Sequence, residues 1–234
     1  MNNEILISIC GSLAIIGAIL YCVGDVFMLA GNIKIEDYPR LQAHVKTLSG
    51  IERMAGLPWW RLVWGGLLGV FATPLVMAGY AQLFVGLVPA GLGGALTVVL
   101  LLACASVVGA FVHGSFMFVG EYVHALNRVD DNGQTVIMEM FMRYRRMLIV
   151  SYGFVLGSIV IASIWFSVLV ALGQTAFPQW MAAINPLTTF AVWMALKKIL
   201  PKVVVDNTEG AGFNIAYVLF FGFTTFTLLS SGIK

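Results

Sequence analysis

Long apolar runs separated by short polar stretches fill almost the whole chain. A membrane-spanning helix needs about 20 consecutive, mostly apolar residues, and six segments meet that requirement. The runs are too long for the strands of a membrane barrel and do not alternate as such strands do. The predicted segments, numbered 1 to 6, are roughly 5–30, 60–86, 93–121, 147–172, 179–199 and 212–232. The pattern predicts an all-α integral membrane protein, one domain over 1–234 built as a bundle of six transmembrane helices.

Positive charge is concentrated between particular segments. Of the 13 Lys and Arg residues, only Lys234 lies outside three stretches that alternate with the apolar runs. Cytoplasmic loops retain an excess of Lys and Arg, so the loops 31–59, 122–146 and 200–211 are predicted to be cytoplasmic. Both termini are then extracytoplasmic. The predicted location is a cell membrane crossed several times, which in a bacterium is the inner membrane.

Two of the polar stretches have helical features of their own. In the first, apolar positions recur every three or four residues from Tyr38 to Met54, and Pro39 suits a first helical position. The sequence leaves open an interfacial helix on the inner leaflet or a loop helix that covers the bundle. In the second, residues 130–133 are typical of a turn, and residues 134–146 are predicted to continue into segment 4.

Segments 1 and 3 end in related sequences. Val23-Gly24-Asp25 corresponds to Val119-Gly120-Glu121, and segments 2 and 4 share an aromatic, a Gly, a Leu and a Gly in the same order. The correspondence predicts two related helical hairpins of parallel orientation, as in some transporters. The alternative is a chance match within a restricted apolar alphabet.

Composition narrows the class of protein. The chain is 60% hydrophobic and 10% charged, with a mean hydropathy of +0.93, whereas a soluble domain has about 25% charged residues. The cations are divided among separate loops, so no nucleic-acid partner is predicted. Glycines such as Gly65 and Gly69 indicate close helix packing.

Few ionisable side chains fall within the apolar segments, where each costs at least about 2.5–3.5 kcal/mol at the membrane centre. Asp25 lies about one turn inside the end of segment 1, His113 lies deeper in segment 3, and Glu121 lies at the inner end of segment 3. These three are the predicted catalytic residues, with Asp25 and Glu121 sharing acid–base work and His113 as an auxiliary donor. The alternatives are a structural acid that pairs with an Arg and a buried, hydrogen-bonded histidine.

Other polar and aromatic residues gather at the same depth, which predicts a cavity in the cytoplasmic half. The predicted substrate-binding residues are Tyr152, Trp64, Asn214 and His124. A cavity at that depth would meet lipids, isoprenoids or quinones from the inner leaflet.

No metal or cofactor is predicted. Glu121-x-x-His124 matches half of a di-iron carboxylate site, but the second such pair is missing. A zinc site that combined His113 with these two residues would spread its ligands over about 16 Å of one helix, too far for one ion.

The segment Gly24-Asp25-Val26-Phe27-Met28-Leu29 is similar to the Gly-Asp-rich helix of lysoplasmalogenase-like membrane hydrolases. That resemblance implies a membrane enzyme that relies on buried carboxylates. It is confined to this segment, the other motifs of that family have no match, and it assigns no residue a role.

Three functions remain open at this stage. The first is an intramembrane enzyme, a hydrolase, isomerase or cyclase, that acts on a lipid-like or isoprenoid-like substrate. The second is a proton-coupled transporter or channel, which repeated hairpins and intramembrane acids would suit. The third is an accessory or sensor protein whose cytoplasmic loops bind partners.

Overall fold

The computed structural model describes residues 3–208 and 210–232, and every regular element among them is helical. Short helical turns occupy Ile35–Asp37, Pro39–Gln42, Val45–Leu48, Ile51–Gly56, Val88–Ala90 and Gln179–Ala183. The longer helices are α1 (Asn3–Leu29), α2 (Trp59–Leu87), α3 (Leu92–Arg128), α4 (Asp131–Ala171), α5 (Pro186–Leu196), α6 (Lys202–Thr208) and α7 (Gly212–Ser230). Lys234, the cation outside the three basic stretches, lies outside the described residues.

Five of the described helical stretches are long and apolar enough to cross a membrane: α1, α2 with the turn that follows it, α3, α4 and α7. They make the chain a multi-pass membrane protein. Segment 5 is different, because residues 179–183 form a 3₁₀ turn and α5 has 11 residues, a length of about 16 Å. That is short of the roughly 30 Å hydrocarbon core, so six continuous spans are not confirmed.

The break in segment 5 has a local cause. Pro186 cannot donate a hydrogen bond to a preceding turn, and it disfavours helical backbone at Asn185. Asn185 is extended (φ −144°, ψ 168°), and its side chain accepts from the backbone N–H groups of Leu187 and Thr188. The Asn-Pro pair therefore starts a new helix inside the apolar run.

Helices α3 and α4 are longer than a membrane is thick. They have 37 and 41 residues, about 55 and 61 Å, so this hairpin extends beyond the hydrocarbon core at one end. Asp130 caps α4 by accepting from the N–H of Gly133 at 2.9 Å. The predicted turn and the predicted continuation of residues 134–146 into segment 4 are both confirmed.

Helices α1 and α7 run antiparallel along the bundle. Gly11 of α1 lies against Thr225 of α7, and at the other end Asp25 of α1 contacts Asn214 of α7. The start of α1 and the end of α7 therefore lie at the same end of the bundle. We call the other end, which carries residues 30–58 and the α3–α4 turn, the loop end.

Residues 30–58, the loop cap, fold onto the loop end of the bundle. Leu41, Leu48 and Met54 are almost completely buried there, in one apolar cluster with Val123 and Phe141. Of the two structures that the sequence left open for this stretch, the structure shows the loop that covers the bundle, broken into short turns.

Polar contacts fasten the loop cap to the α3–α4 hairpin. Arg145 donates to the carbonyl of Thr47 at 2.7 Å, and His44 Nε2 donates to Gln134 Oε1 at 3.2 Å. The cap is therefore part of the folded bundle.

Arg61, near the start of α2, closes the end of α1. Its guanidinium donates to the carbonyls of Val26, Phe27 and Ala30 at 2.9, 3.1 and 2.7 Å. Carbonyls in the last turn of a helix have no intrahelical partner and carry partial negative charge. One cation thus binds three carbonyls at the end of α1, close to Asp25 in the chain, and the carbonyl of Val26 also accepts from the N–H of Ala30 at 3.0 Å.

We expect Arg61→Gln to lower the free energy of unfolding by about 2–4 kcal/mol, because charge-assisted hydrogen bonds to the end of α1 are lost. Reversible unfolding in mixed detergent micelles measures the change. Arg146→Gln, on an exposed position of α4, is the matched control. Equal stability of the two variants would contradict the capping role of Arg61.

Candidate active site

A cavity of about 660 Å³ opens between α1, α3, α4 and α7, with the loop cap at one end. Along α4 its lining extends from Phe141 to Ile159, about 27 Å at the helical rise. The cavity is therefore elongated along the helices. Most lining side chains are apolar, and the polar and charged ones are Tyr21, Asp25, Ser49, Ser106, His113, Arg145, Tyr152, Asn214 and Tyr217.

Asp25 is the acidic residue of this lining, and it is 8% exposed. Its Oδ2 atom accepts a hydrogen bond of 2.6 Å from Nδ2 of Asn214 on α7. Its Oδ1 atom lies 3.2 Å from Nε2 of His113 on α3. That distance suits an ion pair, although the imidazole nitrogen is not aligned for a hydrogen bond. Three helices thus meet at one carboxylate.

Two glycines make room for the imidazole of His113. A Cβ atom on Gly69 of α2 would lie 2.2 Å from Nδ1 of His113, and one on Gly24 of α1 would lie 3.0 Å from Cε1. The ring therefore occupies a slot that any larger residue at position 69 would fill. Nδ1 and Nε2 are both buried there without a hydrogen-bond partner, and Nε2 is the nitrogen that faces Asp25.

Tyr21 is fixed beside this slot. Its ring centroid lies 5.3 Å from that of His113, and its hydroxyl is hydrogen-bonded to the Thr73 hydroxyl. Thr73 donates its single proton to the carbonyl of Gly69 at 3.0 Å, so Tyr21 is the donor to Thr73. The chain of bonds ties α1 to the part of α2 that holds the imidazole.

The cavity brings together four of the seven predicted site residues. Asp25, His113, Asn214 and Tyr152 line it. These side chains come from α1, α3, α7 and α4, so the site depends on the packing of the whole bundle.

The other three predicted residues do not line this cavity. Glu121 lies about 12 Å further along α3 than His113, and its Oε1 atom is buried without a partner. His124 Nε2 donates to the Met54 carbonyl at 3.0 Å and so holds the loop cap. Trp64 is 52% exposed. The structure therefore pairs Asp25 with His113 and Asn214, and it does not bring the two carboxylates together.

Sequence reasoning did not predict several polar residues of the lining, and two of them, Tyr21 and Arg145, stand at informative spacings. Tyr21 precedes Asp25 by one helical turn, so the two share a face of α1. Arg145 precedes Tyr152 by two turns, so these share a face of α4. Once Asp25 and Tyr152 had been identified as site residues, helical spacing would have predicted that Tyr21 and Arg145 lie on the same faces.

The arrangement suits proton transfer. A buried carboxylate held by an amide donor and an imidazole faces a mostly apolar space, where electrostatic interactions are stronger than in water. In the described part of the chain, no group of three or more His, Cys, Asp or Glu residues has the geometry to hold a metal ion.

We expect Gly69→Ala to displace the imidazole of His113 from Asp25, because the added methyl group would occupy the same space as Nδ1. Overpacking of this kind costs about 1–3 kcal/mol. Side-chain ¹⁵N NMR of histidine and thermal unfolding in detergent measure the two effects. Gly157→Ala is the control, since nothing lies within 4 Å of its added Cβ; an unchanged His113 signal in Gly69→Ala would rule out the slot.

Comparison with known proteins identifies the family to which the chain belongs. No curated protein and no solved structure matches it. A family profile matches residues 1–231, and its description is "Family of unknown function (DUF6796)". The match covers nearly the whole chain, which therefore belongs to the DUF6796 family.

Proposed function

We propose that this protein is an intramembrane enzyme that acts on a lipid-like substrate, with Asp25 as the group that transfers the proton. The observation that carries the proposal is the buried Asp25 carboxylate, held by Asn214 and adjacent to His113, in the wall of an elongated apolar cavity. Its volume of about 660 Å³ is within the range of small-molecule sites, about 300–1,000 Å³.

Access from the membrane supports a lipid-like substrate. Near the loop end, α4 contributes Ile149, Tyr152 and Gly153 to the cavity, and α7 contributes Phe213 and Asn214. Ile149 is 60% exposed and Tyr152 is 44% exposed, so this wall also faces the surroundings of the bundle. A substrate dissolved in the membrane could pass between α4 and α7 without crossing the aqueous phase.

In the proposed mechanism Asp25 accepts or delivers the proton at the reacting atom. Asn214 and His113 are positioning residues, because one fixes Oδ2 and the other lies against Oδ1. Proton transfer by a positioned side chain contributes about 10²–10⁴-fold to a reaction rate. Such a step is common to hydrolysis, isomerisation and cyclisation of a lipid-like or isoprenoid-like substrate.

Transport is less well supported. A transported solute would need a polar route past the end opposite the loop cap. There Phe166 packs against both Phe177 and Phe220, with ring centroids 5.5 and 5.3 Å apart. The cavity lining does not extend to Phe177 or Phe220, which favours the enzyme over the transporter.

We expect Asp25→Asn to lower turnover at least about 100-fold, because the amide cannot accept the proton, while the fold is retained. The measurement compares the lipids of cells that produce wild-type protein or the variant, followed by assay of the responding lipid class with purified protein. Glu139→Gln, on the exposed Glu139–Arg143 pair, should match wild type. Wild-type turnover in Asp25→Asn would end the catalytic proposal, and loss of folding would make Asp25 a structural acid.

We further propose that both termini are extracytoplasmic and that residues 179–199 make a sixth, broken crossing of a bacterial inner membrane. Asn185 donates to Ser167 near the end of α4, whereas Trp193 lies beside Gly212 at the start of α7. These contacts support a segment that passes from one end of the bundle to the other. The concentration of Lys and Arg at the loop end supports a cytoplasmic loop cap.

Cysteine labelling tests this orientation. We expect Lys46→Cys to react with a membrane-impermeant maleimide only after the cells are opened, and Gln174→Cys to react in intact cells. Cys10, Cys22 and Cys104 are replaced by Ala in both variants. The reverse labelling pattern would invert the proposed topology, and labelling of both from outside would contradict the alternation.

A further inference from the structure

Arg145 lies at the loop end of the cavity and contributes to its lining. One of its nitrogens donates to the Thr47 carbonyl at 2.7 Å. A guanidinium has five N–H donors, and the ion pairs seen in the described part of the chain do not include this residue. A fixed cation with unused donors therefore faces a mostly apolar space.

Ser49 lines the same end of the cavity. It ends the turn Val45–Leu48 with φ 55° and ψ 48°, a left-handed conformation that is uncommon outside glycine. The surrounding loop cap holds it there, because Thr47 is bonded to Arg145 and Leu48 is buried. A residue in this conformation commonly ends a helical turn, and here it places a hydroxyl-bearing residue at the end that carries the cation.

The residues of α4 that line the cavity indicate its length. Arg145 precedes Tyr152 by about 10 Å, and Tyr152 precedes Ile159 by about the same distance. All three line the cavity. Its charged end is thus about 21 Å along α4 from its apolar far end, where Val76, Ala105 and Ile159 lie. That distance is the extended length of a long alkyl chain.

We propose that the ligand is an amphiphile with one apolar chain and an anionic head, a phosphate or carboxylate, bound by Arg145 with Ser49 beside it. Guanidinium pairs with phosphate and carboxylate through two parallel hydrogen bonds. The chain extends along α4 towards Ile159 and passes Asp25. That this ligand is also the substrate rests on the proposed function. Binding of its anionic head to Arg145 does not depend on a reaction and is measured separately.

The test uses the full-length protein in lipid nanodiscs and three probes: dodecyl phosphate, dodecanol and inorganic phosphate. Binding is followed by native mass spectrometry. We expect dodecyl phosphate to bind at least about tenfold more tightly than dodecanol, since a charge-assisted hydrogen bond contributes this much or more. Inorganic phosphate alone should not compete at the same concentration, because it lacks the chain.

Variants of Arg145 test whether this side chain is responsible for the preference for dodecyl phosphate over dodecanol. We expect Arg145→Gln to lower the affinity for dodecyl phosphate about tenfold and to leave dodecanol binding unchanged. Arg145→Lys, which keeps the charge without the planar fork, should lose less. Arg143→Gln, at a side chain that is 81% exposed, is the matched control and should bind like wild type.

Each contrary result has a defined meaning. Equal affinity for dodecyl phosphate and dodecanol, or unchanged binding in Arg145→Gln, overturns the proposal. Competition by inorganic phosphate at equal concentration reduces the site to one for free anions. If Arg145→Gln loses both amphiphiles and unfolds at lower temperature, Arg145 only fastens the loop cap. If Asp25→Asn retains both binding and turnover, the proposed role of Asp25 in proton transfer fails while the anionic head site stands.

Discussion

A carboxylate inside a helix bundle that crosses a membrane constrains everything packed around it. Its burial is unfavourable unless other helices bring donors to it. Here α7 supplies the amide of Asn214 and α3 supplies the imidazole of His113. The imidazole fits only because Gly24 and Gly69 leave a slot for it. The close approach of α1 to α2, the antiparallel placement of α7 and the register of α3 are thus linked through one side chain, Asp25.

The membrane architecture was largely readable from the sequence, because long apolar runs and the distribution of Lys and Arg are strong signals. In segment 5, hydropathy alone did not predict the local structure. A window of hydropathy counts apolar residues and gives no weight to an Asn-Pro pair, yet Asn185 and Pro186 end one turn and cap the next helix. The apolar run therefore contains two short elements instead of one span.

For the site, the rarity of ionisable residues within apolar segments drew attention to Asp25 and His113, which line the cavity, and to Glu121, which does not. Segment 3 was predicted to end at residue 121, whereas α3 continues to Arg128. Arg145 is a different case. The continuation of residues 134–146 into segment 4 was predicted and is confirmed, but Arg145 was not predicted to line the cavity. Hydropathy gives the extent of an apolar segment, and it does not show which face of the extended helix will border a cavity.

The length of α4 also explains why charged and apolar parts of one cavity can coexist. This helix is about 61 Å long, roughly twice the thickness of the hydrocarbon core, so one rigid element carries Arg145 near the loop end and Tyr152 about 10 Å further from that end. A charged group near Arg145 keeps contact with the hydrated loop end, where its desolvation is less costly. An atom near Asp25 lies in a less polar environment, where a proton transfer is more sensitive to fixed dipoles. Arg145 holds the loop cap over the end of the cavity through its contact with Thr47. The same side chain supplies the positive charge at that end.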